Sequence, residues 1–399
     1  MTALIALSPL AGRRTPASDA VALLHLSLTD ERSLRDAASD FYRQTRLGRR
    51  AVAVVSGPVE DLARHCDHIG LGAVIAAPMR LSWYEPVVLV PGQVATREAK
   101  PAPARPLRVA IAGCGVVGGG LYARLTEDPR FQVVGVLVRD PARAREPQPN
   151  PSILHSDADR LLATRPDVIL DCLSDAEAGL DLTRRALAQG TSIISANKQA
   201  VGSRLNELSA LAQAHGVTLA YSAAVGGGTP VIETLLRARN HAPIARIEGV
   251  LNGTVNFLLN QLCQGCAFND ALVDARFRGF AEEDPSADLQ GHDAVAKITI
   301  LSALAWGEAP PVATRQTLSA ETVLPTGPVR QIASADAQSC DITFRPVAED
   351  TLFADLPDEW NALRVICEDG TVFTCRGRGA GRWPTAESVW ADLIDLIEA

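Results

Sequence analysis

The chain has 399 residues, 47% hydrophobic and 21% charged, an ordinary globular balance with length enough for two or three cores. With 38 basic and 46 acidic residues the formal net charge is −8, which speaks against a nucleic-acid partner, since phosphate neutralisation needs a basic face. No apolar run reaches the roughly 18 residues that cross a bilayer, so no membrane partner is expected.

The first residues are mildly apolar, but no basic segment precedes them and Arg13 and Arg14 follow instead, so no signal peptide is read. Eight scattered cysteines, one of them Cys114 within a glycine-rich loop, suit reduced thiols and a cytoplasmic location better than a disulfide framework. Cys263 and Cys266 form a lone C-x-x-C, poor support for zinc without a second ligand pair.

Residues 21–28, 51–56, 72–77 and 86–90 read as short strands, with helices over 30–45 and 59–68 between them. Residues 1–90 therefore form a small α/β module whose role the sequence does not declare: an effector-binding unit, a partner contact and a relic without a ligand all stay open. The basic run Arg43 to Arg50 reads as a solvated helix end and loop. His65-Cys66-Asp67-His68 are adjacent rather than convergent and lack distant ligands, so they are not read as a metal site. Residues 91–106, PGQVATREAKPAPARP, are a linker of proline and alanine with isolated charges.

After the linker, 107–112, 131–138, 168–172, 192–195 and 217–221 are β-like runs, each separated by enough chain for a crossover helix. That rhythm predicts a Rossmann-type, doubly wound parallel sheet over 107–224, completed by 377–399. The first run leads into Gly113-Cys114-Gly115-Val116-Val117-Gly118, a G-x-G-x-x-G between strand and helix. Gly113 makes the tight turn, Gly115 admits a pyrophosphate to the backbone, and Gly118 lets helix and strand pack closely, while the helix N-terminus faces the phosphates.

About twenty residues on, Val138-Arg139-Asp140 closes the second strand. An aspartate there would accept from a ribose 2′-hydroxyl and an arginine would pair with a 2′-phosphate. Arg139 directly follows the strand, which favours NADP, with NAD as the alternative.

From about residue 225 the rhythm changes: helix candidates run through Trp306, and strand-like 342–347, 363–368 and 372–375 follow. An α+β substrate-binding and dimerisation domain is expected over 225–376. Ser195-Ala196-Asn197-Lys198 follows the fourth nucleotide-domain strand at its carboxyl edge, where such sheets place ligands. Val225-Gly226-Gly227-Gly228-Thr229-Pro230 is a turn at the domain junction, and Leu251-Asn252-Gly253-Thr254 begins a helix with polar side chains. Asp293 and Lys297 are four apart, hence on one helix face, and the run after Lys297 is apolar almost all round, so this lysine sits at the mouth of a buried helix and needs a partner or a function. His292 points about 100° away from that face, which assigns it packing or surface duty.

Together these segments resemble homoserine dehydrogenase, whose pattern includes the glycine loop, an A/P-N-K segment, V-G-x-G-x-P, N-G-T-x-N, G-[YF]-x-E-x-D-P-x-x-D, G-x-D-x-x-x-K and a late G-x-G-A-G. The resemblance runs from about Leu107 to the C-terminus. It implies reversible hydride transfer between NAD(P) and a small-molecule substrate, L-homoserine or L-aspartate 4-semialdehyde, in threonine, methionine and isoleucine biosynthesis.

Carried onto matching positions, Lys297 and Lys198 would contact the reacting oxygen, Asp293 would orient Lys297, and Glu282 and Asp288 would take the substrate's ammonium, with Gly253 and Thr254 nearby. Ser174, Asn197, Lys198 and Gly379 would join Gly113, Gly115, Val116, Val117, Gly118 and Arg139 around the cofactor. A homodimer is the expected minimum assembly.

Three departures stand out. Ser222 occupies the position of a glutamate associated with a monovalent cation, leaving the carbonyls of Val225, Gly227 and Thr229 as candidate ligands for a weakly held ion. Phe280 replaces the commoner tyrosine. No C-terminal ACT regulatory domain is expected, because the chain ends soon after a helix over 384–398.

Overall fold

Two apolar patterns, one of short buried strands alternating with helices and one of mixed antiparallel pairing, divide the chain after residue 106 into two layered units. The computed structural model describes residues 2–7, 21–27, 31–47, 50–56, 105–202, 204–379 and 381–398. The strands expected at 72–77 and 86–90, the helix at 59–68 with its His65–His68 cluster, and nearly all of the 91–106 linker lie outside them.

In the N-terminal module β1 (Thr2–Leu7), β2 (Val21–Ser27) and β3 (Arg50–Ser56) form a sheet of order β1-β3-β2, with β1 antiparallel and β2 parallel to β3. Strand β1 was not anticipated from sequence. Helix α1 (Glu31–Arg46) carries Leu34, Ala37, Ala38, Phe41 and Tyr42 at helical spacing, and all five are buried.

The nucleotide-domain sheet contains β4 (Leu107–Ala112), β5 (Phe131–Leu137), β6 (Leu154–His155), β7 (Val168–Asp171), β8 (Ser192–Ser195) and β9 (Leu219–Ala220). Its order is β6-β5-β4-β7-β8-β9 with every pairing parallel, the doubly wound arrangement whose ligand crevice opens beyond the carboxyl ends of its central strands. Helices α2 (Val116–Glu127), α3 (Ala158–Ala163), α4 (Ala176–Ala188), α5 (Lys198–Gly202) and α6 (Leu205–His215) connect the strands. Strands β7 and β8 are buried at all four positions, so neither shows the alternation of a half-exposed strand.

The second unit starts with α7 (Ser222–Gly226), α8 (Val231–His241), β10 (Ile244–Val250), α9 (Gly253–Cys263), α10 (Phe268–Phe277), α11 (Ser286–Leu289) and α12 (His292–Trp306). It continues with β11 (Val312–Arg315), β12 (Val329–Ala335), β13 (Cys340–Pro346), β14 (Trp360–Cys367) and β15 (Val372–Arg378), giving a mixed sheet of order β11-β13-β12-β10-β14-β15. Ala294, Ile298 and Leu301 of α12 pack on Ile247, Ile342 and Val365 of this sheet.

Strands β10, β11 and β12 were not anticipated. Central β10, with exposed Ala245 and half-buried Arg246 and Glu248 among buried neighbours, lacks clean alternation. Every position of β12 is buried, including Arg330, whose guanidinium donates to the carbonyls of Phe353, Ala354 and Leu356, so its polar composition conceals its depth.

The last helix, α13 (Arg382–Glu398), returns to the nucleotide domain. Val389, Trp390, Leu393 and Ile394 share an apolar cluster with Leu121, Leu125 and Phe131. Trp390 meets Phe131 edge-on at 5.3 Å between centroids, and the Arg124 guanidinium lies 3.8 Å over the Trp390 ring. Helix α1 docks on the same surface: Arg43 pairs with Asp395 at 2.7 Å and Glu398 at 2.6 Å, and Arg124 donates to Ser39 Oγ at 2.6 Å. Trp390→Ala is therefore expected to destabilise the protein by about 3–5 kcal/mol, read as a lower midpoint in urea unfolding; an unchanged midpoint would contradict this packing.

Candidate active site

The tight turn after β4 is made by Gly113 at φ +90°, where an added Cβ would lie 2.6 Å from the Cys172 carbonyl oxygen. At Gly118 a Cβ would strike the Gly113 carbonyl oxygen, so helix and turn are in direct backbone contact. Gly115 differs: a side chain there would meet nothing within 4 Å, and it caps α2 without a side-chain hydrogen bond to the helix's first N–H groups. Open space above uncapped N–H groups fits a dinucleotide pyrophosphate.

Arg139, two residues beyond β5, is exposed and makes no ion pair among the described residues. The Asp140 Oδ1 accepts from the Ala142 N–H at 2.9 Å, so this carboxylate is partly engaged by its own turn. Ser174 is exposed beyond the end of β7.

Beyond β8 the turn is set by buried polar groups. Ser195 Oγ donates to Asp171 Oδ2 at 2.9 Å and accepts from the Asn197 N–H at 3.0 Å. Burial pushes the Asp171 carboxyl up to about 6, against hydrogen bonds from the Leu173 N–H and Ser195 that favour its charge. Asn197 donates to the Asp175 carbonyl and accepts from the Ala200 N–H, so its amide ties β8 to the start of α5 and fixes the root of Lys198.

Across the junction, α12 presents Asp293 and Lys297 one turn apart. Asp293 accepts a Lys198 ammonium on Oδ1 at 2.6 Å and the Lys297 ammonium on Oδ2 at 3.0 Å. Asn252 Nδ2 donates to the same Asp293 Oδ2 at 2.8 Å and to Asp288 Oδ1 at 2.7 Å, while its Oδ1 caps α9 through the Val255 N–H. Lys297 also donates to the Leu251 carbonyl at 2.7 Å, which Asn361 Nδ2 approaches at 3.2 Å.

Asp293 and Lys297 are 6% and 8% exposed, whereas Lys198 is 35% exposed and thus reachable by a ligand. Burial disfavours the Asp293 charge, but attraction to Lys297 and Lys198 outweighs it and holds the carboxyl well below the usual range. Burial likewise opposes the Lys198 charge, and Asp293 overcomes it, raising the lysine above its ordinary value.

These groups line one cavity of about 570 Å³ at the domain junction. Lys198, Asp293, Lys297, Glu282, Asp288, Thr254, Gly253, Gly379, Val225 and Gly227 all reach it. Thr254 Oγ1 donates to the Phe280 carbonyl at 2.6 Å, so its hydroxyl proton orders the 279–282 turn. Gly379 has room for no side chain, since a Cβ would lie 2.1 Å from Asn361 Nδ2.

Sequence reasoning missed Asn252, the amide shared by both acids, and Glu359, Arg378 and Trp383, which also line the cavity. Asn252 was read only as part of the polar segment that begins a helix, and nothing in its spacing indicated that it caps that helix and bridges two carboxylates. His292 is exposed and packs beside Arg315.

A model of the homoserine dehydrogenase family matches residues 230–394, and its NAD-binding domain matches 113–222. The homoserine dehydrogenase of Sulfurisphaera tokodaii is 34% identical over 237 residues, covering 58% of this chain and 77% of that protein. The Pseudomonas aeruginosa homoserine dehydrogenase is 32% identical over 327 residues, 74% of this chain and 73% of the other. The chain belongs to the homoserine dehydrogenase family.

Solved structures agree. A hyperthermophilic archaeal homoserine dehydrogenase in complex with NADPH superposes with a TM-score of 0.65 at 25% identity, over 73% of this chain and 97% of that one. The Thiobacillus denitrificans homoserine dehydrogenase gives 0.65 at 30% identity over 73% of both chains. The protein is thus an NAD(P)-dependent homoserine dehydrogenase by family, with the parallel and mixed sheets that family shares.

Where the family likeness expects a cation-binding glutamate, Ser222 Oγ accepts from Arg46 Nη2 at 3.2 Å. The Thr229 carbonyl already accepts from the Val231 N–H at 2.8 Å. A neutral hydroxyl beside a guanidinium does not fit a tight monovalent-cation site, and among the described residues no group of three or more His, Cys, Asp or Glu is placed to hold a metal.

Because Asp293 is held ionised, its contribution to stability is present above the unfolded carboxyl value of about 3.9 and is lost only as pH falls through the lowered folded value. The Lys198 contribution is complete below about 10.4 and is lost as pH rises through the raised folded value. Asp293→Asn removes the attraction and leaves the burial penalty, so the Lys198 pKa falls and the alkaline limb of the kcat profile should move to lower pH. Superimposable profiles for the two proteins would count against this coupling.

Proposed function

We propose that the enzyme interconverts L-homoserine and L-aspartate 4-semialdehyde by means of two ammonium groups held on one carboxylate, with NADP as the preferred nucleotide. The carrying observation is the pair of lysines from different domains meeting on Asp293 at the wall of the junction cavity. When bound, the nicotinamide supplies or accepts the hydride.

The chain's own residues handle the charge. In the reductive direction the carbonyl oxygen gains negative charge, and N–H groups of Lys198 and Lys297 stabilise it, one of them giving up the proton that completes the hydroxyl. Asp293 holds both ammonium groups in place and keeps that of Lys198 charged. Glu282 and Asp288, which line the same cavity, match a free α-ammonium and set the substrate's direction.

The preference for NADP rests on Arg139, exposed just beyond β5 and clear of ion pairs among the described residues. No helix among the described residues is long and apolar enough to cross a membrane, in keeping with a cytoplasmic enzyme of threonine, methionine and isoleucine biosynthesis. Assembly as a homodimer is in keeping with exposed apolar residues on α10, Val273 at 64% and Phe277 at 90% exposure.

Purified protein with homoserine and NADP⁺ should raise absorbance at the NADPH band, and Lys297→Ala or Lys198→Ala should cut kcat/KM by about 10²–10⁴-fold. A wild-type protein inert with both NADP⁺ and NAD⁺ defeats the proposal. Arg139→Ala should raise the KM for NADP⁺ by roughly 10–100-fold, the loss of a charged hydrogen bond, and leave the KM for NAD⁺ nearly unchanged; equal effects on the two would remove NADP as the preferred nucleotide.

A further inference from the structure

Helix α1 ends in an arginine that leaves its own module. Arg46 is 5% exposed and its guanidinium enters a pocket made by three separate elements flanking the active-site cavity. It donates to Ser222 Oγ on α7, pairs with Glu233 on α8 at 2.6 Å, and pairs closely with Asp392 on α13. It also reaches the Ser388 carbonyl at 3.4 Å.

All three elements lead directly to cavity-lining backbone. Ser222 opens the helix that contributes Ala223, Ala224 and Val225 to the wall, and Glu233 lies in the first turn of the helix that follows the Val225–Pro230 turn. Asp392 belongs to the helix whose first residues, Trp383 to Thr385, line the same cavity. Gly228 bridges the two sides: its N–H donates to the Arg378 carbonyl at 3.0 Å, and a Cβ there would lie 2.5 Å from Pro384.

Without Arg46, two buried carboxylates would face each other. Glu233 is 13% exposed on its side chain and Asp392 4%, and neither Glu233 oxygen finds a hydrogen bond among the described residues, so Coulomb attraction to the guanidinium holds it. Burial pushes Asp392 up to about 6 even with Arg46 beside it, a measure of how much the positive charge is needed.

We infer that Arg46 is a positioning residue for homoserine oxidation: a cation built into the N-terminal helix that holds the 222–230 wall against the start of α13, making that helix part of the catalytic unit. It touches none of Lys198, Asp293, Lys297, Glu282 or Asp288, so the substrate's grip is left intact and the effect falls on kcat. The inference rests on the proposed reaction only for its assay.

The test uses the full-length chain with homoserine and NADP⁺. Arg46→Ala should lower kcat at least tenfold while the homoserine KM stays within about threefold, and millimolar guanidinium, which fits the vacated space between Glu233 and Asp392, should restore kcat in the variant without activating the wild type. Arg46→Lys should fall between the two. A lowered Tm with wild-type kcat, or a loss of kcat that neither guanidinium nor lysine relieves, overturns the inference.

Should Arg46→Ala not accumulate as folded protein, Ser222→Ala keeps both ion pairs and removes only the link to α7. A kcat reduced severalfold at unchanged Tm then supports the inference, and a wild-type kcat overturns it. An inert wild type would instead mark failure of the proposed reaction, so the two failures are distinct.

Discussion

The structure depends on one ionised carboxylate placed between two ammonium groups. Asp293 sits nearly buried where the nucleotide domain and the α12 domain meet, and its oxygens take one lysine from each. Removing the Asp293 charge from such a setting leaves the buried Lys297 ammonium without its counter-ion, which typically costs about 3–5 kcal/mol. Satisfying both groups takes additional partners, and these are present: Asn252 serves Asp293 and Asp288 together, and the Leu251 carbonyl accepts from Lys297. The same cluster that joins the domains therefore supplies the cationic edge of the cavity, so domain geometry and reactive geometry are one constraint.

The surrounding fold converts that constraint into a site. The parallel sheet delivers Lys198 at the carboxyl end of β8, where the Asp171–Ser195–Asn197 network fixes the turn. Mixed-sheet packing against Ala294, Ile298 and Leu301 sets the rotation of α12 and so the direction of Asp293 and Lys297. Helix α13 packs Trp390 on the nucleotide domain, and α1 adds Arg43 and Arg46 against the acidic residues of α13.

Much of this was legible beforehand because it is local. The glycine loop, the crossover rhythm and the i, i+4 relation of Asp293 to Lys297 depend on spacings of a few residues, and each has a direct structural counterpart. What escaped notice is non-local or masked by composition. Strand β12 hides Arg330, Gln331 and Ser334 in full burial, and central β10 shows no alternation to read. Arg46 lay in a basic run read as a solvated helix end, yet Ser222, Glu233 and Asp392, some 180 to 350 residues away in sequence, draw it into the interior. Asn252 stood in a polar helix-start segment that gave no hint of its bridge between Asp288 and Asp293.

A double-mutant cycle on kcat/KM for homoserine, comparing Lys198→Ala, Lys297→Ala and the pair together, tests the shared carboxylate most directly. Two ammonium groups working as one unit predict strong non-additivity, with the double variant scarcely slower than the worse single variant. Independent, multiplying losses would contradict a common site and separate the two lysines' roles.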